Sequence, residues 1–224
     1  HKGQKIAVIG STGSGKSTLV KLMNRFYDVS RGSIEINGVD IRKYNLESLR
    51  TQIGYVAQKA HMFKGSIQSN ICFGKPEASV EEMVHAATIA QASDFISTRE
   101  HGYEDEIAED GTNISGGQKQ RLSIARVILK KPSLYIYDDS FSALDFKTDA
   151  TLRKALKPEV KNAIFFVVAQ RISTIMDSDM IIVLDEGQII GMGTHAQLLK
   201  DCSVYQEIAH SQLTQKELDD YERN

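Results

Sequence analysis

Apolar positions along the chain fall into short runs separated by glycine-rich and polar loops, and the runs follow two periods. Residues 6–9 form an unbroken apolar stretch of strand length, and after a glycine-rich loop Leu19, Leu22, Met23 and Phe26 recur at helical intervals over 17–27. The order is strand, loop, helix. Residues 33–36 and 39–41 flank Asn37-Gly38, a favoured two-residue hairpin turn, and a short helix around 46–51 leads into a strand at 53–57. From Lys59 to Pro132 the character changes: 80–92 and 122–129 repeat apolar residues at helical spacing, with little β-branched alternation, which predicts a helical lobe. Beyond Pro132 strand and helix alternate again, with strands at 134–137, 163–168 and 180–184, a helix near 148–156, and Glu186-Gly187 turning the last strand back into 188–190. Such alternation predicts a mostly parallel sheet with crossover helices. Residues 215–224 are highly charged and predict a solvated or frayed helix end.

Composition narrows the function classes. A chain of 224 residues, 41% hydrophobic, is long enough for one sizeable α/β domain. A formal net charge of −2 with dispersed lysines and arginines leaves no polybasic footprint, so no nucleic-acid partner is expected. The longest apolar runs, 163–169 and 180–184, fall far short of the roughly 18–20 residues that cross a bilayer. No signal peptide precedes the first strand, and the chain starts abruptly at His1, as though cut from something longer. Cys72 and Cys202 lack metal-ligand spacing and read as reduced thiols in packed or half-buried positions. His61, His85, His101, His195 and His210 also lack ligand spacing and read as surface or helix-end residues.

The first candidate chemistry is Gly10-Ser11-Thr12-Gly13-Ser14-Gly15-Lys16-Ser17-Thr18. Its glycines let successive backbone N–H groups converge on a polyphosphate, and the following helix directs its positive end to the same place. Lys16 supplies a point charge for the β- and γ-phosphates, and the Ser17 hydroxyl is placed for Mg2+. The bare pattern arises by chance in about one chain in a hundred of this length, but here it sits between the strand and helix that its chemistry requires. The strand 134–137 then ends in Asp138, a carboxylate suited to hold the metal through its water shell.

A second phosphate-reading loop follows. Ser115, Gly116, Gly117 and Gln118 open the helical run that contains Leu122, Ile124, Ala125, Ile128 and Leu129, and first-turn N–H groups there are free for an anion. An isolated Ser-Gly-Gly also reads as a plain N-cap. The two loops together resemble the nucleotide-binding domain of an ATP-binding cassette (ABC) transporter, whose signature is SGGQ. The likeness covers nearly the whole chain and implies a P-loop NTPase (RecA-like) core at 1–57 and 133–200. It implies an inserted helical lobe at 58–132 and a C-terminal helical tail at 201–224. It also implies ATP and Mg2+ as ligands, with Gln58 as the Q-loop residue near the metal, Asp145 in the D-loop Ser142-Ala143-Leu144-Asp145, and Gln170 in the switch region 168–171. Glu109 resembles an acid ahead of the signature in exporters, with a solvated loop carboxylate as the alternative. In that family two domains pair head to tail, so that each ATP lies between one phosphate loop and the other domain's signature. Residues 61–71 resemble an exporter stretch near the surface that touches the transmembrane domains, with core packing as the alternative for Phe63 and Ile67. The resemblance places the chain at the cytoplasmic face of a membrane, and puts the family's first strands and adenine-stacking aromatic upstream of His1.

Two positions depart from the family pattern. Asp139 stands where the family's water-orienting Glu belongs, and shortening that arm by one methylene withdraws the carboxylate by more than about 1 Å, enough to cost about a hundredfold in rate. Gln170 stands where the switch His belongs; its amide can bond a phosphate oxygen but cannot relay a proton. The signature is nearly intact, with Ile114 for the usual Leu. The combination resembles the degenerate half of a heterodimeric exporter, which implies a partner chain with a competent Glu. Three other classes stay open: a nucleotide-gated regulatory domain without turnover, an importer subunit, and a DNA-repair or chromosome-structure ATPase. The last class places a long coiled-coil arm between Lys16 and Ser115, and this sequence has no sustained heptads there.

Overall fold

A computed structural model of the chain describes residues 1–214; the expected helix end at 215–224 lies outside the described residues. In chain order the elements are β1 (Lys5–Gly10), α1 (Lys16–Met23), β2 (Glu35–Ile36), β3 (Val39–Asp40), α2 (Leu46–Gln52), β4 (Ile53–Val56), β5 (Gly65–Ser66), α3 (Ile67–Ile71), α4 (Val80–Ile89) and α5 (Ser93–Ser97). They continue with β6 (Glu106–Ile107), α6 (Gly116–Lys130), β7 (Leu134–Asp138), α7 (Phe146–Glu159), β8 (Ile164–Val168), α8 (Ile172–Ile175), β9 (Met180–Asp185), β10 (Gln188–Gly193), α9 (His195–Asp201) and α10 (Ser203–Gln212).

Six strands form the main sheet in the order β10-β9-β1-β8-β7-β4, and every neighbouring pair is parallel except β10 with β9. The continuous apolar runs of β1, β7 and β8 follow from burial on both faces. Val8, Ile136, Phe166 and Val168 face α1 and α2 through Val20 and Leu49. Ala7, Ile9, Tyr135, Tyr137, Phe165 and Val167 face the other way, into a cluster with Leu122 and Ile128 of α6, Leu152 and Leu156 of α7, and Tyr205 and Ala209 of α10. The carboxyl ends of β1, β4, β7 and β8 therefore meet at one edge, the place where open parallel sheets bind ligands.

Local differences from the expected elements have identifiable causes. The helix expected over 17–27 ends at Met23, because Arg25 takes a left-handed conformation (φ 49°) and Phe26 N–H returns to Lys21 O at 2.9 Å. That is a Schellman stop without its usual glycine. The helix expected over 80–92 stops at Ile89 in the same way, with Gln91 at φ 58° and Ala92 N–H bonded to Ala87 O at 2.8 Å. The hairpin at 33–41 shrinks to two residues a side, since Asp40 caps a tight turn by accepting from Arg42 N–H at 2.9 Å. His195 stands at a helix end, the first residue of α9, but buried rather than on the surface: it is 3% exposed, and its Nδ1 lies 2.7 Å from the Tyr205 hydroxyl. Ile67 is buried as core packing would have it, whereas Phe63 is 47% exposed.

Candidate functional site

Strand β1 delivers the phosphate loop. Gly10 is required there by close approach, since a Cβ at that position would stand 2.0 Å from Leu184 O on β9. Gly15 begins α1 from a left-handed conformation (φ 102°), aiming the helix's first N–H groups at the loop. The Lys16 ammonium donates to Gly10 O at 2.8 Å, Ser11 O at 2.7 Å and Ser14 Oγ at 3.2 Å, and burial pulls its pKa down while Asp139 and Asp138 oppose that shift. Ser17 and Thr18 are exposed on the first turn of α1, as are Ser11, Thr12 and Gly13 on the loop. The turn between β9 and β10 braces the loop from behind: Gly187 N–H donates to Ser14 O at 3.0 Å, and Ser11 Oγ donates to Asp185 at 3.3 Å. Nothing in the sequence pattern marks Asp185 or Gly187 as supports of the loop, because their role depends on β9 lying beside β1.

The second group of residues gathers at the ends of β4, β7 and β8. Asp138 and Asp139 are 7% and 8% exposed. The Tyr55 hydroxyl, from β4, donates to Asp138 Oδ2 at 3.3 Å, and burial beside that carboxylate pushes the phenol up to about 12. Asp139 Oδ2 accepts from two amides at once, Gln58 Nε2 at 3.0 Å and Gln170 Nε2 at 2.8 Å. Burial raises the pKa of both aspartates. For Asp139 the Gln58 hydrogen bond opposes the shift and the neighbouring Asp138 charge adds to it. The Asp139 backbone is itself left-handed (φ 48°), its N–H bonded to Val168 O at 2.8 Å and its carbonyl to Ser142 Oγ at 2.7 Å. Aspartate tolerates that conformation better than most residues.

These side chains suit Mg2+ and a triphosphate by donor chemistry. Ser17, Gln58 and Asp138 offer hard oxygens, and among the described residues no cluster of three or more His, Cys, Asp or Glu forms a self-sufficient metal cage. Magnesium fits such a set, because it is held by one or two carboxylates together with substrate phosphates and water.

The expected second anion site starts α6. Ser115 Oγ accepts from Gln118 N–H at 3.2 Å, and Gln118 Oε1 accepts from Ser115 N–H at 2.9 Å, so the signature is a complete capping box. Ser115 and Gly116 remain exposed. Asp145 likewise has a structural duty as N-cap of α7, accepting from Thr148 N–H at 2.9 Å, and the Thr148 side chain together with that N–H holds its carboxyl below the usual range. The signature helix α6 and the phosphate-loop helix α1 pack on opposite faces of the sheet. Helix α6 runs along the outermost strand β4, tied at one end by Gln120 Nε2 to Ala57 O (3.1 Å) and at the other by Lys130 Nζ to Ile53 O (2.8 Å). Three strand spacings, about 14 Å, separate β4 from β1 in the sheet.

A phosphate loop on β1, an acidic pair at the end of β7 two strands away and a helix-capping SGGQ define an ATP-binding domain of the cassette class. The chain belongs to the ABC transporter family, whose model matches residues 1–142. It is 46% identical over 208 residues to the putative multidrug export ATP-binding/permease protein YgaD of Bacillus subtilis, covering 93% of this chain and 36% of that protein. It is 42% identical over 214 residues to heavy metal tolerance factor 1 of Caenorhabditis elegans, covering 96% of this chain and 27% of the relative. Among solved structures, a bacterial Atm1-family ABC exporter with ATP bound superposes with a TM-score of 0.91 at 38% identity, over 93% of this chain and 37% of that one. The chain thus spans about a third of the length of these relatives. Among the described residues no helix is long and apolar enough to cross a membrane.

Proposed function

We propose that this chain is the ATP-binding domain of an exporter, at the cytoplasmic face of its membrane. Its own phosphate loop holds Mg2+–ATP with slow turnover, and its signature helix completes the site of a second ABC domain. In this reading residues 1–57 and 133–200 are the ATPase core and 58–132 the helical lobe. Lys16 and the loop N–H groups hold the phosphates, Ser17, Gln58 and Asp138 surround the metal, and Ser115, Gly116 and Gly117 serve the partner, with Asp145 at the shared edge. The lateral offset of α6, which packs along β4 three strands from the phosphate loop on β1, supports the pairing.

The observation that carries slow turnover is the state of Asp139. Its carboxylate is one methylene short of a glutamate, and its Oδ2 is already bonded by Gln58 and Gln170. Burial strengthens Asp139 as a base, but reach decides before basicity does, and a displacement of about 1 Å costs about a hundredfold. Gln170 offers an N–H to a phosphate oxygen and has no proton to relay. Asp139→Glu combined with Gln170→His should therefore raise ATP turnover of the assembled transporter at least about tenfold. Unchanged turnover in that double variant, or brisk steady-state hydrolysis by a homodimer of the unaltered chain, would sink the assignment.

The partner membrane domains fit the surface around Phe63 and Phe73. These rings stack at 4.3 Å while 47% and 59% exposed, and the Arg126 guanidinium lies beneath both, 5.5 and 5.6 Å from their centroids. Exposed aromatic surface of this kind suits a protein partner. The names of the relatives, a multidrug export protein and an Atm1-family exporter, support export over import.

A further inference from the structure

The segment that carries Gln170 is held from outside by a residue of the last described helix. Gln212, at the end of α10, donates from Nε2 to Gln170 O at 2.8 Å and accepts at Oε1 from Ile172 N–H, also at 2.8 Å. A primary amide presents the same donor and acceptor pair as a peptide group, so one side chain here imitates a short strand partner spanning Arg171. Both bonds meet a need. Ile172 opens α8, a four-residue helix whose N-cap, Arg171, provides no side-chain cap, so the Ile172 N–H is one of the helix's orphan donors. Gln212 supplies that cap from 40 residues away. Arg171 is kept extended (φ −104°, ψ 125°) between the two anchored residues, and the Gln170 side chain thereby points at Asp139 Oδ2, 2.8 Å off. Helix α10 is itself a firm base, with Tyr205 and Ala209 fully buried in the core.

We infer that Gln212 is a positioning residue: through its paired bonds to the backbone of 170 and 172, α10 sets where the Gln170 amide stands at the nucleotide edge. Nothing in the sequence pattern points to Gln212, which sits on an exposed turn of an ordinary amphipathic helix.

Two variants in the full-length protein test this. Gln212→Leu removes both bonds at similar volume, and Gln212→Glu keeps the acceptor for Ile172 N–H while losing the donor to Gln170 O. Hydrogen exchange of the peptide covering 170–175, followed by mass spectrometry without nucleotide, reads the strap directly. Gln212→Leu should speed that exchange about fivefold or more, the worth of one or two hydrogen bonds, and Gln212→Glu should retain most of the Ile172 protection. The second readout is the ratio of ATP to ADP affinity by nucleotide competition; this arm rests on the reading that Gln170 faces the γ-phosphate. Gln212→Leu should weaken ATP about fivefold and leave ADP unchanged. Unaltered exchange in Gln212→Leu would overturn the strap, and parallel loss of ATP and ADP binding would reduce Gln212 to a purely structural role. The exchange result stands apart from whether the Asp139 and Gln170 replacements restore hydrolysis, so failure of one is distinguishable from failure of the other.

Discussion

Asp138 and Asp139 are adjacent carboxylates taken largely out of water, and burial raises both of their pKa values. A raised carboxyl pKa means the folded state disfavours ionisation. The penalty is absent below the ordinary aspartate range and grows as pH rises from there through the folded pKa. Asp138→Asn keeps an acceptor for the Tyr55 hydroxyl and removes the buried charge. It should raise the unfolding temperature at pH 7 by roughly 1–3 °C, a gain that shrinks toward pH 4 and can be followed by scanning calorimetry across that interval. A constant gain at every pH would show that the charge is not its source. Lys16, Ser17 and Asp138 were singled out by the phosphate-loop and strand-end pattern, and Gln58, Asp139 and Gln170 by the family resemblance. That Gln58 and Gln170 share one oxygen of Asp139 was not legible, because the three residues come from the ends of three strands.

Helix starts carry a clearer side-chain signal than helix ends. Ser115, Ser79, Asn45 and Asp145 all cap helices with side chains that announce themselves in sequence. Helix stops were obscured because Arg25, Gln91 and Lys131 take the left-handed position normally given to glycine, at φ 49°, 58° and 51°. On α6 the capping duty of the signature can be separated from the proposed service to a partner's site. A Cβ at Gly117 would meet only Ala143 O, at 3.4 Å, an ordinary contact within this chain. Gly117→Ala should therefore leave stability unchanged or raise it by up to about 1 kcal/mol through helix propensity. The same change should lower ATP turnover of the assembled pair about tenfold or more, by keeping a partner's nucleotide from the helix N-terminus. A thermal melt and a phosphate-release assay on one preparation decide between the two effects; undiminished turnover would detach the signature from the partner's site.

For the whole molecule, the two faces of the sheet are filled from within, whereas Phe63 and Phe73 stay outside, stacked over a half-buried Arg126 whose pKa burial pulls down to about 10. Phe73→Ser should cost about 0.5–1.5 kcal/mol of stability, the worth of an aromatic pair. It should leave ATP affinity intact and abolish stimulation of ATP turnover by transported substrate in the full-length protein. Retained stimulation would place the membrane-domain contact elsewhere. The sequence by itself determined the class of fold and the binding chemistry, because strand and helix periods, a glycine-rich phosphate loop and a capped SGGQ are local properties of consecutive residues. Tertiary structure alone decided which of those residues meet: Tyr55 with Asp138, two glutamines on Asp139, Asp185 and Gly187 behind the phosphate loop, and Gln212 across the switch segment. These pairings link residues from 31 to 174 positions apart. No local pattern encodes them, since they depend on strand order and on where each crossover helix packs.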